Sequence, residues 1–119
     1  MSSKILVADD EDGSRRTLVY LLEASGFSVI DARDGVEAVQ KAIRERPDVI
    51  LMDIAMPIMD GCQAAETLRS NARTSDIPII ACTGVLRPLD EWEELFQAVV
   101  AKPFTTEAVI AEIRKVTRY

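Results

Sequence analysis

The chain contains no histidine among its 119 residues. Histidine is the commonest metal ligand and the general base of Ser-His-Asp triads, so histidine-based sites of both kinds are excluded. For the same reason, this chain cannot itself carry a phosphoryl group on histidine. Any histidine chemistry in its function must come from a partner.

Positive charge is also scarce. The chain has 14 Lys and Arg residues against 20 Asp and Glu residues, which gives a formal net charge of -6. The basic residues are scattered and form no stripe of the kind that follows a phosphate backbone. We therefore expect no direct binding of nucleic acid.

Cysteines and long apolar runs are rare as well. Cys62 and Cys82 match no metal-binding spacing, and we expect both to be reduced thiols. No apolar run is long enough to cross a bilayer, and the start of the chain does not resemble a signal peptide. These features predict a cytoplasmic protein without a membrane partner.

The sequence does contain a series of short apolar runs. They lie at residues Lys4–Ala8, 27–30, 48–52, 77–82 and Ala98–Ala101. Several are apolar at consecutive positions, which is typical of strands buried on both faces of a parallel sheet. Between them, apolar residues recur at helical spacing, for example at Leu18, Leu21 and Leu22. Five strands alternating with five helices predict an open, doubly wound α/β sheet.

Capping residues support three of the helices. Asp34 with Glu37, and Asp60 with Gln63, each place an acidic N-cap three residues before a Glu or Gln. Gly26 follows the first helical pattern at a position typical of a helix C-terminus. The fourth helix, around residues 88–96, has the weakest pattern. Because no linker or internal repeat separates these elements, we expect a single domain.

Polar residues follow four of the predicted strands. Asp9 and Asp10 follow the first strand, Asp53 the third, Thr83 the fourth and Lys102 the fifth. In an open parallel sheet, ligands bind beyond the carboxyl ends of the strands, where the winding direction reverses. If the strand order is 2-1-3-4-5, that reversal lies between the first and third strands, and the polar residues meet at one edge.

Three carboxylates at one sheet edge require a cation. Two charges about 4 to 5 Å apart repel by roughly 4 kcal/mol at an effective dielectric constant near 20. Oxygen ligands without histidine or cysteine suit a hard cation, typically Mg²⁺. A carboxylate such as Asp53 can also attack phosphorus to form an acyl phosphate, with Lys102 and the Thr83 hydroxyl neutralising the phosphoryl oxygens.

Four segments together resemble the response regulator receiver family of two-component signal transduction. They are residues 5–10 (ILVADD), 51–61 (LMDIAMPIMDG), 83–84 (TG) and 102–104 (KPF), and the similarity spans essentially the whole chain. The resemblance implies an α/β, flavodoxin-like (βα)5 three-layer sandwich with a five-stranded parallel sheet of order 2-1-3-4-5. Residues 1–119 would form a single receiver domain.

The resemblance also implies roles for the residues at the strand ends. Asp53 would be the phosphoacceptor, Thr83 would contact the phosphoryl group and Lys102 would pair with it. The peptide bond between Lys102 and Pro103 would be cis. A sensor histidine kinase or a histidine phosphotransfer protein would supply the phosphoryl group, and a downstream effector protein or output domain would respond to it. Such a domain is not an enzyme beyond catalysing its own phosphorylation and dephosphorylation.

The implied cofactor is Mg²⁺ (or Mn²⁺). Its ligands would be the carboxylates of Asp10 and Asp53 and the backbone carbonyl of Ala55. Asp9 would complete the acidic pair, either from the second shell of the ion or through a water molecule. Taken alone, such a pair as Asp9 and Asp10 more often forms a turn that caps a helix than binds a metal, and it is the context that favours the metal site. Glu11 and Asp12 could extend the pocket or favour the helix dipole.

The sequence departs from the family along the usual output route. Receivers commonly carry an aromatic residue three positions before the lysine, where this chain has Val99. The interval between Thr83 and Lys102 is also short for a fourth helix with its loops. These departures motivate an alternative function, a phosphorylation-independent docking module with the same fold, beside the main hypothesis of a phosphorylated signalling module.

An enzyme of the same architecture is a third hypothesis. A phosphatase with an aspartyl nucleophile needs an acid/base Asp two residues after Asp53, where Ala55 stands. A flavin carrier needs a Ser/Thr/Gly-rich phosphate loop after the first strand, and none is present. Both enzyme classes are therefore disfavoured.

Overall fold

Strands and helices alternate along the chain in the computed structural model, which describes residues 3–84 and 92–117. The strands are β1 (Lys4–Ala8), β2 (Ser28–Ala32), β3 (Val49–Asp53), β4 (Ile79–Thr83) and β5 (Ala98–Ala101). The helices are α1 (Asp12–Ala24), α2 (Gly35–Glu45), α3 (Gly61–Arg69), the single turn α4 (Trp92–Leu95) and α5 (Thr106–Thr117). The strands pair in parallel in the order β2-β1-β3-β4-β5. This confirms the predicted α/β class and strand order.

Both faces of the sheet are covered, because successive side chains of a strand point to opposite faces. Leu6 of β1 lies in a core cluster with Leu68 of α3. Its neighbour Val7 lies in a second cluster with Leu22 of α1 and Ile113 of α5. Every residue of β3 and β4 is buried. The consecutive apolar runs therefore belong to the middle layer of three, as expected.

The helix ends also agree with the capping patterns. The Asp34 carboxylate accepts the Glu37 backbone N–H at 2.8 Å, and Asp60 and Gln63 form a reciprocal capping box. Gly26, just past the end of α1, has a φ of 100°, which glycine adopts at little cost. No helix among residues 3–84 and 92–117 has the length and apolar character that a membrane span requires.

Three strands have other bounds than predicted. β3 was expected at residues 48–52, but it runs from Val49 to Asp53 because Asp53 still pairs with Cys82 of β4. β2 was expected at residues 27–30, but it runs from Ser28 to Ala32 because its ladder follows β1 to the end of that strand, with Asp31 opposite Val7 and Ala32 opposite Ala8. β4 was expected at residues 77–82, but it begins at Ile79 because Pro78 has no N–H for the ladder.

The fourth helix was predicted around residues 88–96. Residues 92–95 form a helical turn. Residues 85–91 lie outside the part of the chain that the structure describes, so the start of this helix stays a prediction.

A tight loop joins β3 to α3. The Ile54 carbonyl accepts N–H groups from Met56 at 3.1 Å and from Gly61 at 2.8 Å, which folds the loop back on itself. A methyl group built on Gly61 would collide with the Asp53 carbonyl oxygen and with the Ile54 Cα. The start of α3 therefore lies directly against the backbone of β3, and only glycine fits there.

We predict that Gly61→Ala lowers the free energy of unfolding by about 2 kcal/mol, because the added methyl group meets backbone atoms that cannot move aside. Urea unfolding of the wild type and the variant measures the difference. Gly13→Ala is the matched control, since Gly13 also lies in a first helical turn but the nearest atoms to an added methyl group are the end of the Glu11 side chain, at 3.1 Å, and not backbone atoms. It should leave the free energy unchanged or raise it by up to about 1 kcal/mol. Equal stability of the two variants would contradict the close approach.

Candidate functional site

The sheet register brings the predicted site residues to one edge. Asp9 directly follows β1, Asp53 ends β3, Thr83 ends β4 and Lys102 directly follows β5. Asp53 is paired with Cys82, and the Lys102 backbone N–H donates to the Thr83 carbonyl at 2.8 Å. The four residues therefore lie at the carboxyl ends of adjacent strands, where an open parallel sheet binds its ligands.

Three carboxylates form a cluster at this edge. One oxygen from each of Asp9, Asp10 and Asp53 lies within 4.8 Å of the others. Asp9 and Asp53 are buried, with 8% and 7% of their surface exposed, whereas Asp10 is exposed. Charges at this separation repel by roughly 3.5 kcal/mol per pair at an effective dielectric constant of 20. The cluster is costly unless cations neutralise it.

Lys102 supplies part of that neutralisation. Its Nζ donates a hydrogen bond to Asp53 Oδ1 at 3.0 Å and lies 3.9 Å from Asp9 Oδ2. Burial lowers the pKa of Lys102, but the hydrogen bond and the negative charges of Asp53 and Asp9 outweigh this effect and raise it. Lys102 is therefore positively charged at neutral pH. One ammonium group against three carboxylates leaves an excess of two negative charges.

For Asp53, burial is the largest influence on the pKa of the side chain. It raises the pKa of this carboxyl, and the charges of Asp9 and Asp10 raise it further, while the hydrogen bond from Lys102 opposes both. The net pKa lies above its ordinary value near 3.8. Asp53 is thus a more basic carboxylate than an exposed aspartate, and its charged form gains from any cation placed beside it.

The donor set fits a divalent cation such as Mg²⁺. Mg²⁺ binds oxygen ligands at about 2.0 to 2.1 Å, so oxygens that share one ion lie at most about 4.2 Å apart. The three carboxylates, already within 4.8 Å of one another, need only small shifts to reach this limit. Two positive charges would also balance the excess negative charge of the cluster.

The other expected site residues lie nearby. Thr83 is buried, with 3% of its surface exposed. Ala55 lies in the exposed turn that follows β3. The Lys102–Pro103 peptide bond is cis, as the resemblance implied.

Glu11 does not extend the acidic cluster. Its carboxylate accepts the N–H groups of Ser14 at 2.7 Å and Gly13 at 2.9 Å, so Glu11 is the N-cap of α1. Its hydrogen bonds with Ser14 and Gly13 lower the pKa of Glu11. The sequence left two roles open for this residue, and the structure assigns it the helix-capping role.

Arg15 was not singled out from the sequence. It is buried on the inner face of α1, and its Nη1 donates to the Asp9 carbonyl at 3.1 Å. The sequence nevertheless indicated its position. Arg15 precedes Leu18 by three residues and Leu22 by seven, so helical spacing places it on the same inward face as these leucines. A charged residue on such a stripe is informative because it needs buried partners.

The cysteines take no part in this cluster as ligands. Cys62 and Cys82 form no disulfide, as expected. Cys82 is buried beside Asp53 on the neighbouring strand, and burial raises the pKa of its thiol to about 12. It is therefore an uncharged core residue at neutral pH.

A sequence profile of the response regulator receiver domain matches residues 5–114 of the chain. The chain belongs to this family. Response regulator receiver domains are signalling domains of two-component systems, so both the resemblance and the receiver assignment are confirmed.

Curated relatives agree with this assignment. The chain is 36% identical over 121 residues to the alkaline phosphatase synthesis transcriptional regulatory protein PhoP of Bacillus subtilis, covering 99% of this chain and 50% of that protein. It is also 36% identical to the response regulator MprA of Mycobacterium leprae, covering 97% of this chain and 51% of the relative. The receiver domain thus spans about half the length of these relatives.

Solved structures of receivers have the same fold. The chemotaxis protein CheY4 of Vibrio cholerae superimposes with a TM-score of 0.90 at 28% identity, covering 98% of this chain and 99% of that one. The receiver domain of the sensor histidine kinase PA1611 from Pseudomonas aeruginosa, solved with magnesium coordinated in its active site cleft, has a TM-score of 0.88 at 27% identity and covers 98% of both chains. These likenesses confirm the flavodoxin-like fold.

We predict that Asp10→Asn raises the melting temperature in EDTA by a few degrees. The change removes one charge from the cluster at an exposed position, where the repulsion is screened to about 1 kcal/mol. The stabilisation that millimolar Mg²⁺ gives the wild type should shrink in this variant, because one of the three clustered carboxylates is lost. Thermal melts with and without Mg²⁺ measure both effects.

The control is Glu23→Gln, which removes one negative charge from an exposed position at the far end of α1. It should leave the response to Mg²⁺ unchanged. A lower melting temperature of Asp10→Asn in EDTA would show that Asp10 stabilises the turn instead of straining the cluster.

Proposed function

We propose that this receiver domain accepts a phosphoryl group on Asp53, with Mg²⁺ in the acidic pocket. The observation that carries the proposal is the arrangement of Asp53, which is buried within 4.8 Å of two further carboxylates and hydrogen-bonded to Lys102. A stable fold gains nothing from three crowded carboxylates. The arrangement is useful when a cation and a phosphoryl group enter it.

A phosphohistidine donor must lie outside these 119 residues, because they contain no histidine. We assign this role to a phosphohistidine on a sensor histidine kinase or on a histidine phosphotransfer protein. A lone pair of the Asp53 carboxylate forms the new O–P bond of the acyl phosphate. The P–N bond of the phosphohistidine breaks, and its electron pair returns to the imidazole nitrogen.

The surrounding residues position and neutralise the phosphoryl group. Lys102, already 3.0 Å from Asp53 Oδ1, offers a fixed positive charge to the phosphoryl oxygens. The Thr83 hydroxyl at the end of β4 is our candidate for a hydrogen bond to one of those oxygens. Little covalent work is left for the protein, since phosphoryl transfer depends mainly on positioning and charge neutralisation.

Asp10, Asp53 and the Ala55 carbonyl would hold Mg²⁺ (or Mn²⁺), with Asp9 acting through a water molecule. The bound ion would neutralise charge on the phosphoryl oxygens. The magnesium coordinated in the cleft of the PA1611 receiver supports this assignment.

The phosphoryl group adds negative charge at the sheet edge and gives the domain a signal to relay. We propose that a downstream effector protein or an output domain responds to it. The relatives PhoP and MprA, about twice as long as this chain, are a transcriptional regulatory protein and a response regulator. We further propose a cytoplasmic setting, where a thiol such as Cys82 stays reduced.

We predict that the protein gains one phosphoryl group when it is incubated with Mg²⁺ and acetyl phosphate, a small acyl phosphate donor. Intact-mass spectrometry measures the adduct. Asp53→Asn should show none, because the nucleophilic oxygen is lost. Asp76→Asn, at an exposed position outside the cluster, should be phosphorylated like the wild type. An equal adduct on Asp53→Asn would contradict the assignment.

The phosphorylation-independent docking module keeps one supporting observation. Val99, at the position where receivers commonly have an aromatic residue, is 39% exposed on β5 and offers no aromatic rotamer to lock. A ligand shifts a conformational equilibrium only through its differential free energy for the two states.

Amide hydrogen exchange separates the two functions. For the phosphorylation switch, we expect treatment with acetyl phosphate and Mg²⁺ to change exchange in β5 as well as at the pocket. If the treatment changes exchange only at the pocket residues and not in β5, the docking module is favoured instead.

A further inference from the structure

Arg15 is a buried cation close to the acidic pocket. Only 4% of its surface is exposed, and it occupies the inner face of α1 together with Leu18 and Leu22. A guanidinium group in this position is costly unless all of its donors are satisfied. The groups that accept its hydrogen bonds therefore indicate the role of this buried guanidinium.

The guanidinium contacts three separate parts of the chain. Nε donates to Asp31 Oδ2 of β2 at 3.0 Å, and Nη2 lies 2.8 Å from Asp12 Oδ1 in the first turn of α1. Nη1 donates to the backbone carbonyl of Asp9 at 3.1 Å. Two carboxylates neutralise the charge, and the remaining contact goes to the main chain between the strand and the pocket.

The Asp9 carbonyl belongs to the peptide unit that joins Asp9 to Asp10. The other groups of Asp9 are held as well, since its N–H donates to the Ala32 carbonyl at 3.0 Å and its Oδ1 accepts the Glu11 N–H at 2.9 Å. Arg15 thus completes the anchoring of Asp9. Arg15 holds the peptide that joins Asp9 to Asp10. The orientation of this peptide sets the direction of the backbone at Asp10, which is exposed.

The effect of Arg15 is geometric more than electrostatic. Asp12 and Asp31 together more than offset its single positive charge, so this group adds no net positive potential at the pocket. A rigid fork of donors can hold two carboxylates and one carbonyl at once, whereas the ammonium group of lysine is a single point. Arginine and lysine should therefore differ at this position even though both carry one positive charge.

We propose that Arg15 is a positioning residue of the acidic pocket. By holding the Asp9–Asp10 peptide against α1 and β2, it fixes the two carboxylates where a divalent cation needs them. The inference rests on the proposed function, because it takes the pocket to bind Mg²⁺.

Isothermal titration of Mg²⁺ into the folded protein, well below its melting temperature, tests the proposal. Arg15→Lys should weaken Mg²⁺ binding by about tenfold or more, the usual loss when a group that orients a metal ligand is removed. The matched control is Arg16→Lys, since Arg16 is the exposed neighbour on the same helix. It should bind Mg²⁺ like the wild type.

Asp31→Asn provides a second variant. It removes a carboxylate that orients the guanidinium and so loosens the contact between Arg15 and the Asp9 carbonyl, and a smaller loss of Mg²⁺ affinity is expected. It decides the matter if Arg15→Lys does not fold. Melting temperatures in EDTA are recorded for all variants, because a merely structural arginine would lower them without changing the affinity of the folded protein.

Wild-type affinity in Arg15→Lys would overturn the inference, as would wild-type affinity in Asp31→Asn if Arg15→Lys is unfolded. The proposed function is tested separately by the wild type. No Mg²⁺ binding to the wild-type protein would overturn both proposals, whereas normal binding that is insensitive to Arg15 would overturn this one alone.

Discussion

The hydrogen bond between Lys102 and Asp53 is the interaction on which the site depends. It links the ends of two strands and places an ammonium group 3.0 Å from the buried carboxylate. Asp9 and Asp10 keep this edge of the sheet negative even so. The repulsion among the carboxylates therefore has opposite effects on the stability of the empty fold and on its affinity for a cation. The repulsion costs stability in the absence of a cation and becomes affinity for one when it is present.

The rest of the fold serves to hold that edge in place. β3 is buried along its whole length, and Asp53 is its last residue, so the carboxylate emerges where the core ends. The loop after it is tight, with Gly61 against the β3 backbone. In the same loop, Ile58 has a φ of 69° and is 82% exposed. A β-branched residue in this conformation is strained, and such strain clusters near functional sites.

The route by which a signal leaves the pocket is less conventional than the pocket itself. The aromatic residue common in receivers is replaced by Val99, which is partly exposed on β5. β1 and β2, by contrast, are connected to the pocket through Asp9, Arg15 and Asp31. Changes at the pocket therefore have a physical connection to the α1 side of the sheet that does not require an aromatic switch.

The sequence by itself determined the class of the fold and the residues that meet at its edge. Apolar runs such as residues 48–52 are local patterns, and they require strands covered on both faces. Capping pairs such as Asp34 with Glu37 are local in the same way. The sequence places the polar residues directly after strands, and the winding rule of parallel sheets brings those strand ends to one edge.

Only the tertiary structure decided how these residues are held. The separation of the carboxylates, the hydrogen bond from Lys102 and the change in the pKa of Asp53 depend on residues distant in the chain. Arg15 shows the limit most clearly. Its spacing from Leu18 and Leu22 indicates an inward position, but two of its three partners lie far away in the chain or on another element, on β2 and in the turn after β1. Local patterns record which face of an element is buried, whereas the partner of a buried charge is set by packing between elements.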